Sequence, residues 1–216
     1  MGDDAGIARA LHELGEAALE EEDYDRADDL FDEAINVGRR AGKDAAGSIG
    51  NLGFTALLQG DYGRAAALSA EALALLRQRR HTSGVIVGLQ NLAEAELGLG
   101  QQEEARLHLA ECLELAREAQ FLEVIASCLE TASALLLKTG DAETAVRLTG
   151  AEDALREQIN LSLHPAERRR RERLRADLRA RLGTSAEELR DEGRRLTVDD
   201  ASALALEALS TTAETG

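Results

Sequence analysis

The sequence predicts an all-α fold, a solenoid of helical hairpins closed by a helical cap at its C-terminal end. Three observations support this: an internal repeat, apolar residues at helical spacing, and a single proline, Pro165, in 216 residues. Aromatic residues make up 2% of the chain and Trp is absent. The core is therefore expected to consist of Ala and Leu side chains on closely packed helices.

The repeat is clearest in the alanine that opens each second helix. These alanines are 38, 40 and 40 residues apart: Ala27, Ala65, Ala105 and Ala145. Thirteen residues before each of them lies an apolar side chain: Leu14, Leu52, Leu92 and Ala132. Three of the turns between them contain glycine, which supplies a left-handed helix C-cap: Gly60, Gly100 and Gly140. The Asp or Gln after each turn glycine can cap the next helix, so the unit is a hairpin with a short turn.

The pattern predicts eight helices in four hairpins, at 5–21, 25–41, 44–59, 62–79, 84–99, 102–119, 122–139 and 142–160. Pro165 suits the first turn of a further, arginine-rich helix that Gly183 ends. Two shorter helices are expected at 185–195 and 198–209, the second capped by Thr197 with Asp200 three residues later. The expected organisation is four hairpins in 1–163, capping helices in 164–210 and a disordered tail in 211–216.

Two hairpins share a pattern of large and small residues: Leu14-Gly15, Ala18, Tyr24 and Ala27, then Leu52-Gly53, Ala56, Tyr62 and Ala65. This pattern resembles the tetratricopeptide repeat (TPR), whose basic period is about 34 residues. The longer period is similar to the extended-helix variety in kinesin light chains and in sensor regions of bacterial transcription regulators. The resemblance implies a right-handed α-α superhelix, a TPR-like solenoid, that binds proteins. The third hairpin departs from the pattern at Ala93 and Glu96, and the fourth is the weakest match.

A second resemblance covers residues 140–207 and is strongest in the run from Glu192 to Thr197. This segment resembles the one that closes the repeat region in large bacterial signal-transducing ATPase regulators, which often carry a LuxR-type helix-turn-helix. The resemblance implies a sensor region of such a regulator. The sequence has no G-x-x-x-x-G-K-[ST] phosphate loop, and no helix-turn-helix follows Leu209.

The charge distribution argues against nucleic acid as a partner. The net charge is −16, and the excess lies before residue 164, because residues 164–216 contain 11 acidic and 11 basic residues. An acidic surface repels phosphate backbones. The cluster Arg168–Arg171 is interleaved with acidic residues and has no aromatic neighbour, so it indicates a solvated or cross-helix ion-paired face. The acidic run Glu20–Asp25 indicates either a solvated face or a docking patch for a basic segment.

No pattern of a metal, cofactor or catalytic site stands out. His108 and Cys112 are four residues apart on one helix, but no second ligand pair accompanies them. Cys112 and Cys128 lie within helical patterns as small buried residues, and no Ser/His/Asp arrangement is present. We therefore expect no metal, no cofactor and no enzyme activity. The absence of a signal-peptide pattern and of a long apolar segment predicts a cytoplasmic protein without membrane association.

The candidate binding surface is the wall formed by the first helix of each hairpin. The residue before each aligned apolar position is expected to face the concave side: Glu13, Asn51, Asn91 and Thr131. Asn is a poor helix former whose amide can bind an extended peptide backbone, and in TPR proteins this position resembles a peptide-contacting one. Neighbouring residues would complete the groove: Phe54, Gln90, Glu94 and Glu130. Alternatively, Asn51 and Asn91 only tie adjacent helices together.

The predicted function is a non-catalytic TPR scaffold, the sensor or regulatory region of a bacterial transcriptional or signalling regulator. Its expected partner is a protein or peptide segment, and the acidic surface favours a basic one. Two alternatives are a small-effector sensor and a structural scaffold that self-assembles as a homodimer through one end of the array.

Overall fold

The computed structural model describes residues 3–42 and 45–211. Within these ranges the chain forms eleven α-helices: α1 (Asp4–Glu20), α2 (Tyr24–Arg40), α3 (Ala46–Gln59), α4 (Tyr62–Gln78), α5 (Thr82–Leu99), α6 (Gln102–Glu118), α7 (Leu122–Thr139), α8 (Ala142–Ile159), α9 (Pro165–Leu182), α10 (Ser185–Gly193) and α11 (Val198–Thr211). The predicted all-α class is confirmed. Residues 212–216 of the predicted tail lie outside the described ranges.

The turns within the hairpins are built as the glycine and aspartate pattern predicts. Gly60, Gly100 and Gly140 have φ angles of +79°, +79° and +105°, a region that L-residues with a Cβ rarely adopt. After them, the side chain of Asp61 accepts a hydrogen bond from the backbone N–H of Arg64 and so caps α4. Asp23 and Asp141 cap α2 and α8 in the same way. Gln101 makes no such bond, which differs from the prediction.

Small residues allow the paired helices to approach closely. The four aligned alanines are all buried: Ala27, Ala65, Ala105 and Ala145. A Cβ atom added to Gly15 would lie 2.5 Å from the ring of Phe31, so α1 and α2 can pack at this spacing only with glycine there. The close packing of Ala and Gly against a few large side chains compensates for the scarcity of aromatic residues.

The contacts divide the chain into two compact units, with the boundary between Leu99 and Gly100. Unit 1 contains α1 to α5. In it α1 pairs with α2 and α3 with α4, while α3 packs on α2 and α5 packs on α4. The first helices α1, α3 and α5 also contact one another in sequence, so they form one side of the unit.

Unit 2 contains α6 to α11. Here α7 pairs with α8 and packs on α6, while α9, α10 and α11 all contact α8. The crossing of α8 and α10 is very close: a Cβ atom added to Gly150 would lie 2.0 Å from the carbonyl oxygen of Arg190, and one added to Gly193 would lie 1.9 Å from that of Arg147. The last hairpin is therefore covered by the C-terminal helices.

Candidate functional site

The aligned column at Glu13, Asn51, Asn91 and Thr131 changes in exposure along the chain. Glu13 on α1 is exposed and Asn51 on α3 is half-buried. Asn91 on α5 and Thr131 on α7 are buried, with exposed fractions of 4% and 6%. Equivalent positions in the repeat therefore differ in what they can offer to a partner. Of the four, only Glu13 and Asn51 are accessible at the surface.

Asn51 is engaged with a residue that the sequence analysis did not select. Its Nδ2 donates a hydrogen bond to Oε1 of Glu16 on α1, at 3.3 Å. Glu16 also lies 3.4 Å from Nε2 of His12 on its own helix. The bond joins α3 to α1, as the tying role proposed as an alternative for Asn51 requires. The repeat register could have identified Glu16, because it occupies the position equivalent to Phe54 and Glu94.

The neighbouring positions of unit 1 combine polar and apolar surface. On α5, Nε2 of Gln90 donates a hydrogen bond to Oε2 of Glu94 at 3.1 Å, and both residues are half-buried. Phe54 on α3 is half-buried and packs against a core cluster formed by Ala56, Leu57, Ala65 and Ala95. Six of the eight predicted site residues thus lie on the three adjacent first helices of unit 1: Glu13, Asn51, Phe54, Gln90, Asn91 and Glu94.

The other two predicted site residues lie on α7 in unit 2, where they make internal contacts. Oε2 of Glu130 accepts a hydrogen bond from Nη2 of Arg156 at 3.3 Å. The hydroxyl of Thr131 donates to the carbonyl oxygen of Ser127 at 3.0 Å. Glu130 therefore belongs to a charge network inside the unit, and the hydroxyl of Thr131 satisfies its own helix.

This charge network is centred on two adjacent buried carboxylates of α8, Glu152 and Asp153. Nη2 of Arg171 on α9 lies 2.7 Å from Oε2 of Glu152 and also contacts Asp153. Nε of Arg190 on α10 donates to Oδ2 of Asp153 at 2.7 Å, and Arg175 on α9 contacts the other oxygen. A single aspartate side chain thereby joins α8 to two helices of the cap.

In this network, guanidinium groups lie close both to carboxylates and to one another, and the side chains have little contact with solvent. Burial and the nearby guanidinium of Arg190 lower the pKa of Arg175 from its ordinary value. At the exposed edge of the same contact, the hydrogen bond from Arg194 lowers the pKa of Glu157. The sequence predicts that the cluster Arg168–Arg171 is either solvated or ion-paired across helices. Arg171 forms such an ion pair with Glu152, whereas Arg168 and Arg169 are exposed. Its partners on α8 were not foreseen.

The acidic surface of the first hairpin is only partly neutralised. Asp28 on α2 forms an ion pair with Arg64 on α4, and this hydrogen bond raises the pKa of Arg64. The other acidic residues along α2 are exposed: Asp25, Asp29, Asp32 and Glu33. Unit 1 therefore presents carboxylates on α1 and α2, which favours a basic partner over an acidic one.

The described ranges contain neither a cluster of metal ligands nor a helix suited to span a membrane. In residues 3–42 and 45–211, no three His, Cys, Asp or Glu side chains are grouped closely enough to hold a metal ion. His108 is half-buried, while Cys112 is fully buried with its sulfur 3.4 Å from that of Cys128. Over the same ranges, no helix has the length and apolar character that crossing a bilayer demands.

Comparison with known proteins finds a family model that matches the first part of the chain. A family model described as tetratricopeptide repeat matches residues 6–78, the stretch that forms α1 to α4. No curated protein shows significant similarity to the chain. Tetratricopeptide repeats generally mediate protein–protein interaction. The first two hairpins are therefore similar to tetratricopeptide repeats, and with the eleven helices of the described residues the match supports an all-α, TPR-like solenoid.

Proposed function

We propose that the chain is a non-catalytic scaffold that binds an extended protein or peptide segment along α1, α3 and α5. The observation that carries the proposal is the row of accessible polar side chains on these adjacent helices: Glu13, Glu16, Asn51, Gln90 and Glu94. Amides can pair with both groups of a peptide backbone, and carboxylates favour a Lys or Arg side chain. Phe54 supplies an apolar contact between them.

Binding would exchange contacts that already exist within unit 1. The Asn51–Glu16 and Gln90–Glu94 hydrogen bonds are exposed or only partly buried, so a partner can replace them at little cost. Asn91 is too deeply buried to contribute in the same way, although it belongs to the same column of the repeat. The proposed groove is therefore centred on α1 and α3, with α5 at its edge.

The wider role proposed is that of a cytoplasmic sensor or regulatory region in a bacterial transcriptional or signalling regulator. Its support is the resemblance of residues 140–207 to segments that close such repeat regions. Within this segment, Gly193 allows the close crossing of α8 and α10, and Glu192 forms an ion pair with Arg147. These contacts suit the proposed organisation, four hairpins in 1–163 followed by a cap in 164–210.

A peptide selection tests the groove. Twelve-residue peptides would be selected on the wild-type chain from a random display library, synthesised, and titrated by calorimetry against wild type, Asn51→Ala and Gln90→Ala. Each variant removes a hydrogen-bonding amide, and we expect each to weaken binding about 5- to 10-fold, equivalent to about 1 kcal/mol. Selected peptides should also be rich in Lys and Arg.

Asn36→Ala is the matched control, because Asn36 is exposed on α2, away from the row. It should bind the selected peptides as wild type does. If Asn51→Ala and Gln90→Ala retain wild-type affinity while their circular dichroism is unchanged, the groove is assigned to the wrong surface.

A further inference from the structure

An apolar stripe runs along the exposed side of α1. Ile7 and Leu14 have exposed fractions of 49% and 48%, although large aliphatic side chains are usually buried. Ala10 and Ala17 are also exposed, and the four residues are three, four and three positions apart. This spacing puts them on one face of the helix. We call these four residues the α1 stripe.

The repeat register shows what this face does elsewhere in the molecule. The positions equivalent to the α1 stripe are buried in every later hairpin: Ala45 just before α3, Ser48, Leu52 and Thr55 on α3, Val85, Gly88, Leu92 and Ala95 on α5, and Ile125, Cys128, Ala132 and Leu135 on α7. Leu14, for example, corresponds to Leu52 and Leu92, whose exposed fractions are 2% and 6%. The stripe is thus the stacking face of the repeat.

Two contacts show that this face packs on the preceding hairpin. A Cβ atom added to Gly88 on α5 would lie 3.5 Å from the side chain of Leu73 on α4. Cys128 on α7 faces Cys112 on α6 across 3.4 Å. The α1 stripe therefore has the composition and spacing of a surface that receives another helix of this protein.

The arrangement at the other end of the chain restricts how a second copy could use this surface. In unit 2, the last hairpin is covered by α9, α10 and α11, all of which contact α8. A copy cannot stack its last hairpin on the α1 stripe of another copy unless the cap is removed. An interface in which the same surface of both copies meets around a two-fold axis needs no such change in the cap.

We propose that two copies of the chain associate through their α1 stripes, with the two helices antiparallel. In this register Ile7 faces Ala17 of the second copy and Leu14 faces Ala10, so each large side chain meets a small one. Arg9, the one Lys or Arg in α1, lies 3.5 Å from Glu13 of its own chain, and in this register it can also approach Glu13 of the second copy. The apolar contact of this dimer uses none of the polar residues of the proposed peptide groove.

The stripe spans only about three helical turns, so the interface is smaller than the ~1,200 Å² typical of stable complexes. The dimer is therefore weak, with a dissociation constant on the order of 10–100 μM. The net charge of −16 on each copy opposes association at low ionic strength. Measurements belong at about 0.15 M salt, where charges more than ~8 Å apart are largely screened.

Sedimentation velocity of the full chain over a wide concentration range tests the proposal. Wild type should shift from monomer to dimer as concentration rises, and Leu14→Glu should weaken the dimer at least about 10-fold, because it places a charge in the apolar contact. Leu107→Glu is the matched control: Leu107 is likewise an exposed leucine, with an exposed fraction of 54%, but on α6. It should dimerise as wild type does.

A cross-linking experiment tests the orientation. An equimolar mixture of Ala10→Cys and Leu14→Cys chains would be oxidised by a low-molecular-weight disulfide. The main product should join one Ala10→Cys chain to one Leu14→Cys chain, because residue 10 faces residue 14 in the antiparallel register. If cross-links form mainly between two Ala10→Cys chains or between two Leu14→Cys chains, the antiparallel register is wrong. The proposal itself is overturned if wild type stays monomeric throughout, or if Leu14→Glu dimerises as well as wild type.

Discussion

Cys112 and Cys128 illustrate how the stacking of hairpins acts on single residues. Both side chains are fully buried where α7 packs on α6, and their sulfur atoms lie 3.4 Å apart. The hydrogen bond with Cys112 and the loss of hydration raise the pKa of Cys128 well above its ordinary value. Since the thiolate is the reactive form, the burial of both thiols and the raised pKa of Cys128 protect this pair from reaction in the folded protein.

The two thiols are therefore expected to react slowly with a thiol reagent such as DTNB while the protein is folded. At mildly alkaline pH, labelling should be limited by unfolding, and both thiols should react at once in concentrated guanidinium chloride. Ala203→Cys, which places a thiol at an exposed position of α11, is the control and should react immediately. Rapid labelling of wild type under native conditions would show that this part of unit 2 opens readily.

At the scale of helices, aspartate caps explain where three of the four second helices begin. Asp23, Asp61 and Asp141 each accept a hydrogen bond from a backbone N–H three residues later, whereas Gln101 makes no side-chain cap. The side chain of glutamine is one methylene longer than that of aspartate or asparagine, and glutamine is not among the preferred N-cap residues. The start of α6 consequently leaves more of its first-turn N–H groups to water than α2, α4 and α8 do.

Replacing Gln101 by the residue found at the three equivalent positions should correct this. We expect Gln101→Asp to stabilise the protein by about 1 kcal/mol, measured by urea unfolding, because a capping carboxylate also interacts favourably with the helix dipole. The reverse change, Asp61→Gln, should lower the free energy of unfolding by a similar amount. Equal stabilities for wild type and Gln101→Asp would mean that solvent already satisfies these donors.

At the scale of the molecule, the proposed binding surfaces and the helices that cover the end of the repeat array lie in different units. Unit 1 contains the proposed groove and the α1 stripe, while unit 2 ends in helices that cover its last hairpin. The cap is attached by the Gly150–Gly193 crossing and by the guanidinium groups around Asp153. A solenoid needs such a cover because each repeat buries its apolar face only against its neighbours.

Asp153 is the residue on which this attachment depends most. Asp153→Asn removes the charge that three arginine side chains share, and leaving them without it should lower the free energy of unfolding by about 3–5 kcal/mol. Tryptic cleavage within α9 should also accelerate, because its arginines become accessible when the cap detaches. Asp191→Asn, an exposed change on α10, is the control and should behave as wild type. A loss below about 1 kcal/mol would show that the ion pairs are not what holds the cap.

Local signals in the sequence were enough to place the helices. All eleven predicted helices match the observed ones within two residues at both ends. The reason is that helical period, glycine C-caps and aspartate N-caps act over three to five residues, so each can be recognised without knowledge of the partner helix. The small-residue columns were likewise predictable, because Ala27, Ala65, Ala105 and Ala145 report the closest approach of paired helices.

Only the tertiary structure decided which polar residues are accessible and which are paired. Asn51 and Asn91 are equivalent in the repeat, yet Asn51 reaches Glu16 from a half-buried position whereas Asn91 is buried. Asp153 meets arginines 18, 22 and 37 residues away, a set that no local pattern specifies. Exposure and ion pairing depend on what neighbouring helices cover, and that is determined by how hairpins and cap pack together.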